Sequence, residues 1–493
     1  MGAALGSLLP WTMVPTFFNW LALIGAGLSM YLLAWECLPQ RQALLAAVFF
    51  AANPYHLLLV YYRSDFAELL ASVFFPLLPW GVMRIARDGW RSVPVLAMVV
   101  SLIWLCNAPA AVIAVYSVAF LFVVAYVLKR DLRLLLYGSI ATAAGFGLAS
   151  FYILPAAHQR AWVQINQVLS DGLRPEQNFL FSRATSMAVN RDFNIKISCV
   201  VLLMGLLMAT TAIYIGKKLE IPRLHYWLLV ALGAMSIFMM FRVSRPLWVF
   251  APELHFVQFP WRYAVPLGVA FSFFLAAGAG KFRRLEIMAI AVFVFAGPMA
   301  KIWLAKERPS SWNKADIAQF QLNFDSEIGY RGTPEYLPNG ANGKLLPEKW
   351  GNSEIGEKSS GTVDRVDAHT VSTQSAALQK LALNVFDYPA WQVDVDGSLS
   401  SKLTDSDGRI AVAVPPGNHV VHISSRRQWD TRLGVATSIS TAFLLSSLLF
   451  LPWTRRKLAP MQQNDLGSEV LSSTFWGSTA LATKLRTENR ERS

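Results

Sequence analysis

The run Asn53-Pro-Tyr-His56, followed by Tyr61-Tyr-Arg-Ser-Asp-Phe-Ala-Glu68, places a histidine, an arginine and two carboxylates within a short stretch between apolar segments. Asp65 and Glu68 are spaced i, i+3, so on a helix they share one face. Carboxylates held this way can orient an acceptor, bind a cation or take a proton, and Arg63 beside them can neutralise a phosphate. Asp65 and Glu68 are therefore the candidate catalytic residues, with Arg63 and His56 as candidate substrate-binding residues. The competing structural reading is a helix start capped by Asp65, with Ser64 beside it, and an internal ion pair to Arg63. A second run, Glu253-Leu-His-Phe-Val-Gln-Phe-Pro-Trp-Arg-Tyr263, leads into a late apolar segment. Pro260 suits a helix start, Trp261 and Tyr263 suit an interfacial aromatic belt, and Arg262 can reach a lipid phosphate. Plain snorkelling of Arg262 beside a tryptophan anchor is the structural alternative.

Other patterns carry less. Asp394-Val-Asp-Gly397 and Asp405-Ser-Asp-Gly408 resemble fragments of a calcium loop but lack its third acidic position and closing Glu, so hairpin turns explain them better. The histidines form no H-E-x-x-H cluster, and no metal ligand set is nominated. No G-x-x-x-x-G-K-[ST] motif and no G-x-G-x-x-G in a strand–helix context supports nucleotide hydrolysis.

The elements that must position these residues are membrane helices. Of 493 residues, 54% are hydrophobic and 15% charged, against about 25% charged in an average soluble domain. This excludes disorder, a disulfide scaffold and a collagen-like repeat. A transmembrane helix needs about 20 mostly apolar residues, which gives about eleven candidates. They are 13–35, 42–61, 66–83, 93–106, 109–128, 132–154, 197–216, 224–241, 263–280, 285–304 and 433–453. Cys37, Cys106 and Cys199 lie in or beside apolar segments and read as packing residues.

The net charge of +13 would suggest nucleic acid in a soluble protein. Here basic clusters occupy alternate short loops: Arg84/Arg87/Arg91, Lys129/Arg130/Arg133, Lys217/Lys218/Arg223, Lys281/Arg283/Arg284 and Arg455/Arg456/Lys457, with Arg41 in the loop after the first span. The positive-inside rule makes that side cytoplasmic and the longer, dilute loops extracytoplasmic, so no nucleic-acid partner is expected. The amino terminus then starts outside, uncharged through Trp11 and without a signal peptide's basic region. Either an upstream span is missing from this reading frame or the first span is naturally N-out.

Four regions follow: a multi-span domain over 1–304, an extracytoplasmic linker and β-domain over 305–432, a final span over 433–453 and a mobile cytoplasmic tail over 454–493. Within the second region the hydrophobic period becomes two. Trp391, Val393 and Val395 alternate with polar residues, Ile410, Val412 and Val414 alternate with small ones, and Gly397, Gly408 and Pro415-Pro416-Gly417 mark turns. The fold class is thus a polytopic α-helical membrane protein with a small antiparallel, sandwich-type β-domain.

Together, N-P-Y with Y-x-R-x-x-x-A-E, then F-P-W-R, then Y-P-A-W-Q-V-D-V-D-G and P-P-G-N-H-V-V resemble the YfhO-like bacterial membrane proteins, whose neighbours carry the label "6-pyruvoyl-tetrahydropterin synthase-related". The chain has neither the zinc histidines nor the soluble fold for pterin chemistry. The resemblance, extending to about Trp453, implies a GT-C fold in the bacterial plasma membrane: a glycosyltransferase that moves a sugar from a polyprenyl-phosphate donor to a glycan or other envelope acceptor outside. Such enzymes typically keep a catalytic Asp in the first long outer loop, and no residue here matches it. Arg63, Glu68 and Arg262 match the shared motifs and would line the lipid-phosphate and sugar cavity. The cofactor stays open, with a divalent cation as the candidate. The rival class is a non-catalytic protein that binds or translocates a lipid-linked glycan. The near absence of mid-span charge favours an outer-leaflet site over a through-path.

Overall fold

A computed structural model describes residues 1–186, 188–217, 221–279, 334–341, 363–367, 370–426 and 428–457. The chain divides into two compact units, Met1–Ser446 and Ser447–Ser493; of the second, the described part is the end of one helix. The helices are α1 (Gly2–Gly6), α2 (Val14–Trp35), α3 (Gln40–Ala51), α4 (Pro54–Leu58), α5 (Phe66–Ser72), α6 (Leu77–Asp88), α7 (Val93–Cys106) and α8 (Ala108–Lys129). They continue as α9 (Arg133–Leu148), α10 (Ser150–Gln159), α11 (Ala188–Gly216), α12 (Arg223–Met240), α13 (Arg245–Phe250), α14 (Ala264–Ala279) and α15 (Trp429–Lys457).

Seven helical stretches among the described residues are long and apolar enough to cross a membrane: Val14–Trp35, Gln40–Arg63, Phe66–Cys106, Ala108–Lys129, Asn190–Gly216, Arg223–Met240 and Pro260–Ala279. The pair α9 and α10, bent by 75° at its break, makes an eighth candidate. With exposed leucines and isoleucines along α2, α11 and α15, these helices mark a multi-pass membrane protein. The 41 residues of Phe66–Cys106 would reach about 60 Å as one straight helix, twice the hydrocarbon thickness. The chain instead folds back through a turn at Gly89–Ser92, and α6 lies against α7 so closely that a Cβ at Gly81 would stand 2.9 Å from Leu96. Two of the eleven expected spans, 66–83 and 93–106, therefore fall inside this one stretch. The expected span 285–304 lies outside the described residues. The expected last span falls in α15, which is not among the seven.

The helix α14 is the hub. It is apolar all round and almost completely buried, with Phe273 and Phe274 packed in the same core as Phe49 and Phe50 of α3. The small residue Gly268 lets Asn53 and Phe50 approach its backbone.

Helix α15 crosses the α9–α10 bend at very short range. A Cβ at Gly434 would meet the Ser150 carbonyl at 2.6 Å, and one at Gly147 would meet Thr441 Oγ1 at 2.5 Å. At the bend, the Phe151 N–H donates to Ser438 Oγ (2.9 Å) and Ser438 Oγ donates to the Gly147 carbonyl (3.2 Å). Nearby, Asp430 is buried against His158 and Gln159.

The β-domain has strands β1 (Val363–Asp367), β2 (Thr370–Ser375), β3 (Gln379–Phe386), β4 (Trp391–Val395), β5 (Ser398–Ser400), β6 (Lys402–Thr404), β7 (Arg409–Val414) and β8 (Gly417–Ser425). They form a five-stranded sheet, β1-β2-β8-β4-β5, and a three-stranded sheet, β3-β7-β6, with every pairing antiparallel. The alternating Val393, Ile410, Val412, Val414, Val421 and Ile423 form its core with Leu381. Asp396 (φ 53°) and Gly397 (φ 78°) make the two-residue reversal between paired Val395 and Ser398, a mirror-image turn that Asp-Gly favours. Residues 334–341 join this domain to the loop after α10. Asn339 N donates to the Trp162 carbonyl, Gln164 N to that of Leu337, and the Tyr388 hydroxyl to that of Tyr336.

Candidate functional site

The local chain around the first motif is a sharp reversal built from small devices. The side chain of Asn53 caps α4 by accepting from Tyr55 N (2.9 Å) and His56 N (3.0 Å), with Pro54 at the first helical position. The helix then widens into a π-turn, Leu59–Arg63, which Ser64 ends in the left-handed conformation (φ 52°). Asp65 Oδ1 accepts from Glu68 N at 3.0 Å, capping α5 as its sequence position suggests. This reversal folds Arg63 back over the carboxylates that follow it: its guanidinium stands 3.1 Å from Asp65 Oδ2 and 2.9 Å from Glu68 Oε2.

The second motif closes the group. Arg262, in the turn Pro260–Tyr263 that starts α14, is 6% exposed. Its Nε lies 3.1 Å from Glu68 Oε2, a second nitrogen 3.6 Å from Asp65 Oδ2, and the third donates to the Val257 carbonyl at 3.1 Å. Arg262 is thus turned inward and does not snorkel. The Tyr55 hydroxyl completes the shell of Glu68 by donating to Oε1 at 2.5 Å. Phe259 and Trp261 stack on each other with ring centroids 4.7 Å apart, Arg63 lies over Trp261 at 4.7 Å, and Arg262 lies over Phe259 at 5.4 Å. The result is a charge-balanced cluster of two carboxylates and two guanidinium groups, drawn from distant parts of the multi-span region and gathered where three apolar helical stretches begin or end.

Four of the five expected site residues, Arg63, Asp65, Glu68 and Arg262, meet here. His56 is also fully buried, but its contacts are elsewhere: Nδ1 lies 3.4 Å from the Ala51 carbonyl and the ring stands edge-on to Phe50. Both carboxylates already face guanidinium groups, so a cation between them would have to displace an arginine. Among the described residues there is no group of three His, Cys, Asp or Glu side chains placed to hold a metal.

Arg63 also forms the wall of a cavity of about 250 Å³. The remaining wall is three asparagines, Asn178, Asn190 and Asn194, and an aromatic set in which Tyr62 stacks on Phe193 (4.8 Å) and Phe193 meets Trp261 edge-on (5.0 Å). The asparagines belong to the polar start of α11 and the loop before it. Asn178 donates to the carbonyls of Gly172 and Arg174, Asn190 to that of Gly172, and Asn194 to that of Gln177. Sequence reading missed this wall. The available signal was Asn190 and Asn194 at i, i+4 just ahead of an apolar run, which places both on one helix face. It also missed Tyr55, although the N-P-Y motif contains it.

The acidic turns of the β-domain use their carboxylates internally. Asp405 accepts from Asp407 N and Arg409 N and pairs with the Arg409 side chain; burial pushes its carboxyl up, but these N–H bonds and that pairing hold it below the usual range. Asp396 accepts from Val420 N and faces His419 Nδ1 at 2.6 Å, and the Val420 bond and then His419 hold its carboxyl low. The chain matches no family model, no curated protein and no solved structure.

Proposed function

We propose that this chain is a GT-C-like membrane protein of about eleven spans that receives a lipid-linked sugar at its extracytoplasmic face, with Arg63, Asp65, Glu68 and Arg262 as the working cluster. One observation carries the reading: Arg63, Asp65 and Glu68 of one short reversal and Arg262, distant from them in sequence, converge in a buried cluster whose Arg63 opens onto a cavity with polar and aromatic walls. Ionisable groups at membrane depth are costly, and they are kept mainly where they serve a pathway or a ligand. A cavity walled by amides and rings suits the polar head of a membrane lipid better than its chain.

In this reading the sugar occupies the cavity and Arg63 meets the phosphate end. Asp65, the more open of the two carboxylates, orients the acceptor, while Glu68 and Arg262 fix Arg63 and Asp65 in place. The β-domain lies on the same face and covers or presents the acceptor. In this reading the chain sits in the bacterial plasma membrane, with its basic loops inside as the positive-inside rule orients them.

The test uses the full chain in phospholipid nanodiscs with polyprenyl-phosphate sugars. Loss of sugar from the lipid, abolished by Glu68→Gln and by Arg262→Ala in folded protein, is the expected result. Full activity in both variants overturns the site. Saturable binding without turnover in the parent chain replaces transfer with the binding and translocating role.

A further inference from the structure

The segment between the end of α12 and the start of α14 carries an apolar surface that no described residue covers. In the turn Arg242–Ser244 and the helix α13 that follows it, Val243, Leu247 and Phe250 are 70%, 46% and 83% exposed, with Val249 exposed beside them. Their spacing, i, i+4 and i+7, puts the first three in one row. Ser244 and Trp248 face the other way and are buried, and the Trp248 indole N–H is shared between the Met239 carbonyl and Ser244 Oγ at 3.1 Å each. The inner side of the segment is thus pinned, and the pinning holds the apolar row outward.

Four large apolar side chains exposed together mark a contact with another molecule. Three observations favour a lipid surface over a protein. The first is position. The segment joins two helical stretches long and apolar enough to cross a membrane, Arg223–Met240 and Pro260–Ala279, so both its ends stand at the membrane boundary. The second is continuity. Trp227, Ala234 and Phe238 form an exposed stripe along α12, the side such a helix turns to lipid, and Val243 follows just beyond it. The third is charge. Arg242 and Arg245 are exposed beside the apolar row, and neither is ion-paired among the described residues; the nearest acid in sequence, Glu253, is held by Arg160 at 2.9 Å. Unmatched guanidinium groups next to apolar side chains suit the boundary where lipid phosphates lie above acyl chains.

We infer that residues 242–250 lie in the membrane interface as an anchor, with Val243, Leu247 and Phe250 at the acyl boundary and Arg242 and Arg245 on the phosphates of anionic lipid. The anchor also sets a depth for the charged cluster, because Trp248 on its inner side meets the ring of Tyr263, the neighbour of Arg262, at 6.0 Å. Neither a sugar substrate nor transfer is needed for this role.

The test uses the full chain, with the native cysteines replaced, in nanodiscs of phosphatidylcholine and phosphatidylglycerol. An environment-sensitive dye is placed on Leu247→Cys, on Phe250→Cys and, for reference, on Ser398→Cys of the β-domain. In folded protein the first two dyes should be quenched by lipid bearing a nitroxide high on its acyl chain, and several-fold less than the reference by aqueous iodide. Nitroxide-labelled phosphatidylglycerol should quench the Leu247→Cys dye about two- to fivefold more than equally labelled phosphatidylcholine. Adding Arg242→Gln and Arg245→Gln should bring that ratio close to one. Dyes at Leu247→Cys and Phe250→Cys as open to iodide as the reference overturn the anchor. Dyes shielded from iodide and from nitroxide lipid alike assign the surface to a protein partner and overturn it too. A ratio close to one with both arginines present, or one that survives their loss, overturns the assignment of Arg242 and Arg245 to anionic lipid.

Discussion

Replacing Arg262 by methionine tests whether the charged cluster is a closed unit. The substitution keeps an apolar stem and removes one guanidinium from a site where Glu68 is 1% exposed. It deletes the 3.1 Å contact to Glu68 Oε2, the 3.6 Å contact to Asp65 and the bond to the Val257 carbonyl. At an effective dielectric near 20, one charge pair at this range is worth on the order of 4–5 kcal/mol before desolvation. Removing one partner of a buried pair costs about 3–5 kcal/mol, because the other charge stays behind uncompensated. Glu68→Gln alone should also cost several kcal/mol. The double variant keeps one carboxylate and one guanidinium, Asp65 and Arg63, and should lose less than the two costs together by about 1–3 kcal/mol. Reversible SDS unfolding in phospholipid bicelles, run as a double-mutant cycle, measures all three. A cost for Arg262→Met below about 1 kcal/mol, the value of an exposed pair, would refute the argument, as would strict additivity.

Other expectations concern separate parts of the chain. Gly434→Val forces side-chain atoms into the Ser150 carbonyl and should loosen α15 from the α9–α10 bend by about 1–3 kcal/mol, read as lost disulfide cross-linking in a Phe151→Cys/Ser438→Cys background. Gly397→Val meets no neighbour within 4 Å, so only its positive φ resists, and the cost should be about 1–2 kcal/mol with the sheet intact. The Asp396 bond, and then the Pro416 carbonyl, raise His419 above its ordinary 6.5, so its contribution is complete below that pH and fades as pH rises through the raised value. Asp396 is held below its ordinary 3.8, so its part is present above that pH and fades as pH falls through the lowered value. Protection of the Val420 amide, its exchange rate divided into the intrinsic rate at each pH, should therefore be greatest between about pH 4 and 6.5, and protection that does not vary with pH would contradict the pairing. In intact cells, with the native cysteines replaced, an impermeant maleimide should label Ser398→Cys and spare Asp131→Cys; the opposite pattern would invert the topology.

What the sequence reveals here depends on range. Asp65 as a cap, the Asp396-Gly397 turn and the alternation of Val393, Ile410, Val412 and Val414 are local effects, and each is legible because its cause lies within a few residues. The partnership of Arg262 with Glu68 is not local. Seen alone, F-P-W-R is an ordinary interfacial anchor, and only the packing of α14 in the core turns its arginine inward. Boundaries shift for a related reason. The apolar run beginning at Ile197 is preceded by polar residues that hydropathy assigns to a loop, yet α11 begins at Ala188 because Asn190 and Asn194 bond to the segment around Gly172–Asn178. Likewise, the apolar stretch 66–83 hides a break at Val73–Pro76 that separates α5 from α6.

Because the charged cluster draws on distant parts of the multi-span region, it is assembled in time as well as in space. Arg262 leaves the ribosome roughly 190 positions after Glu68, a delay of about 10–40 s at ordinary elongation rates. Throughout that interval Glu68 has, of its three side-chain partners, only Arg63 and Tyr55 beside it. Arg63 therefore serves as the escort of a carboxylate during insertion, and Arg262 as the lock that arrives once α14 is made. Loss of the first should be visible to the quality-control proteases of a growing chain, whereas loss of the second should produce a fully inserted protein that never closes.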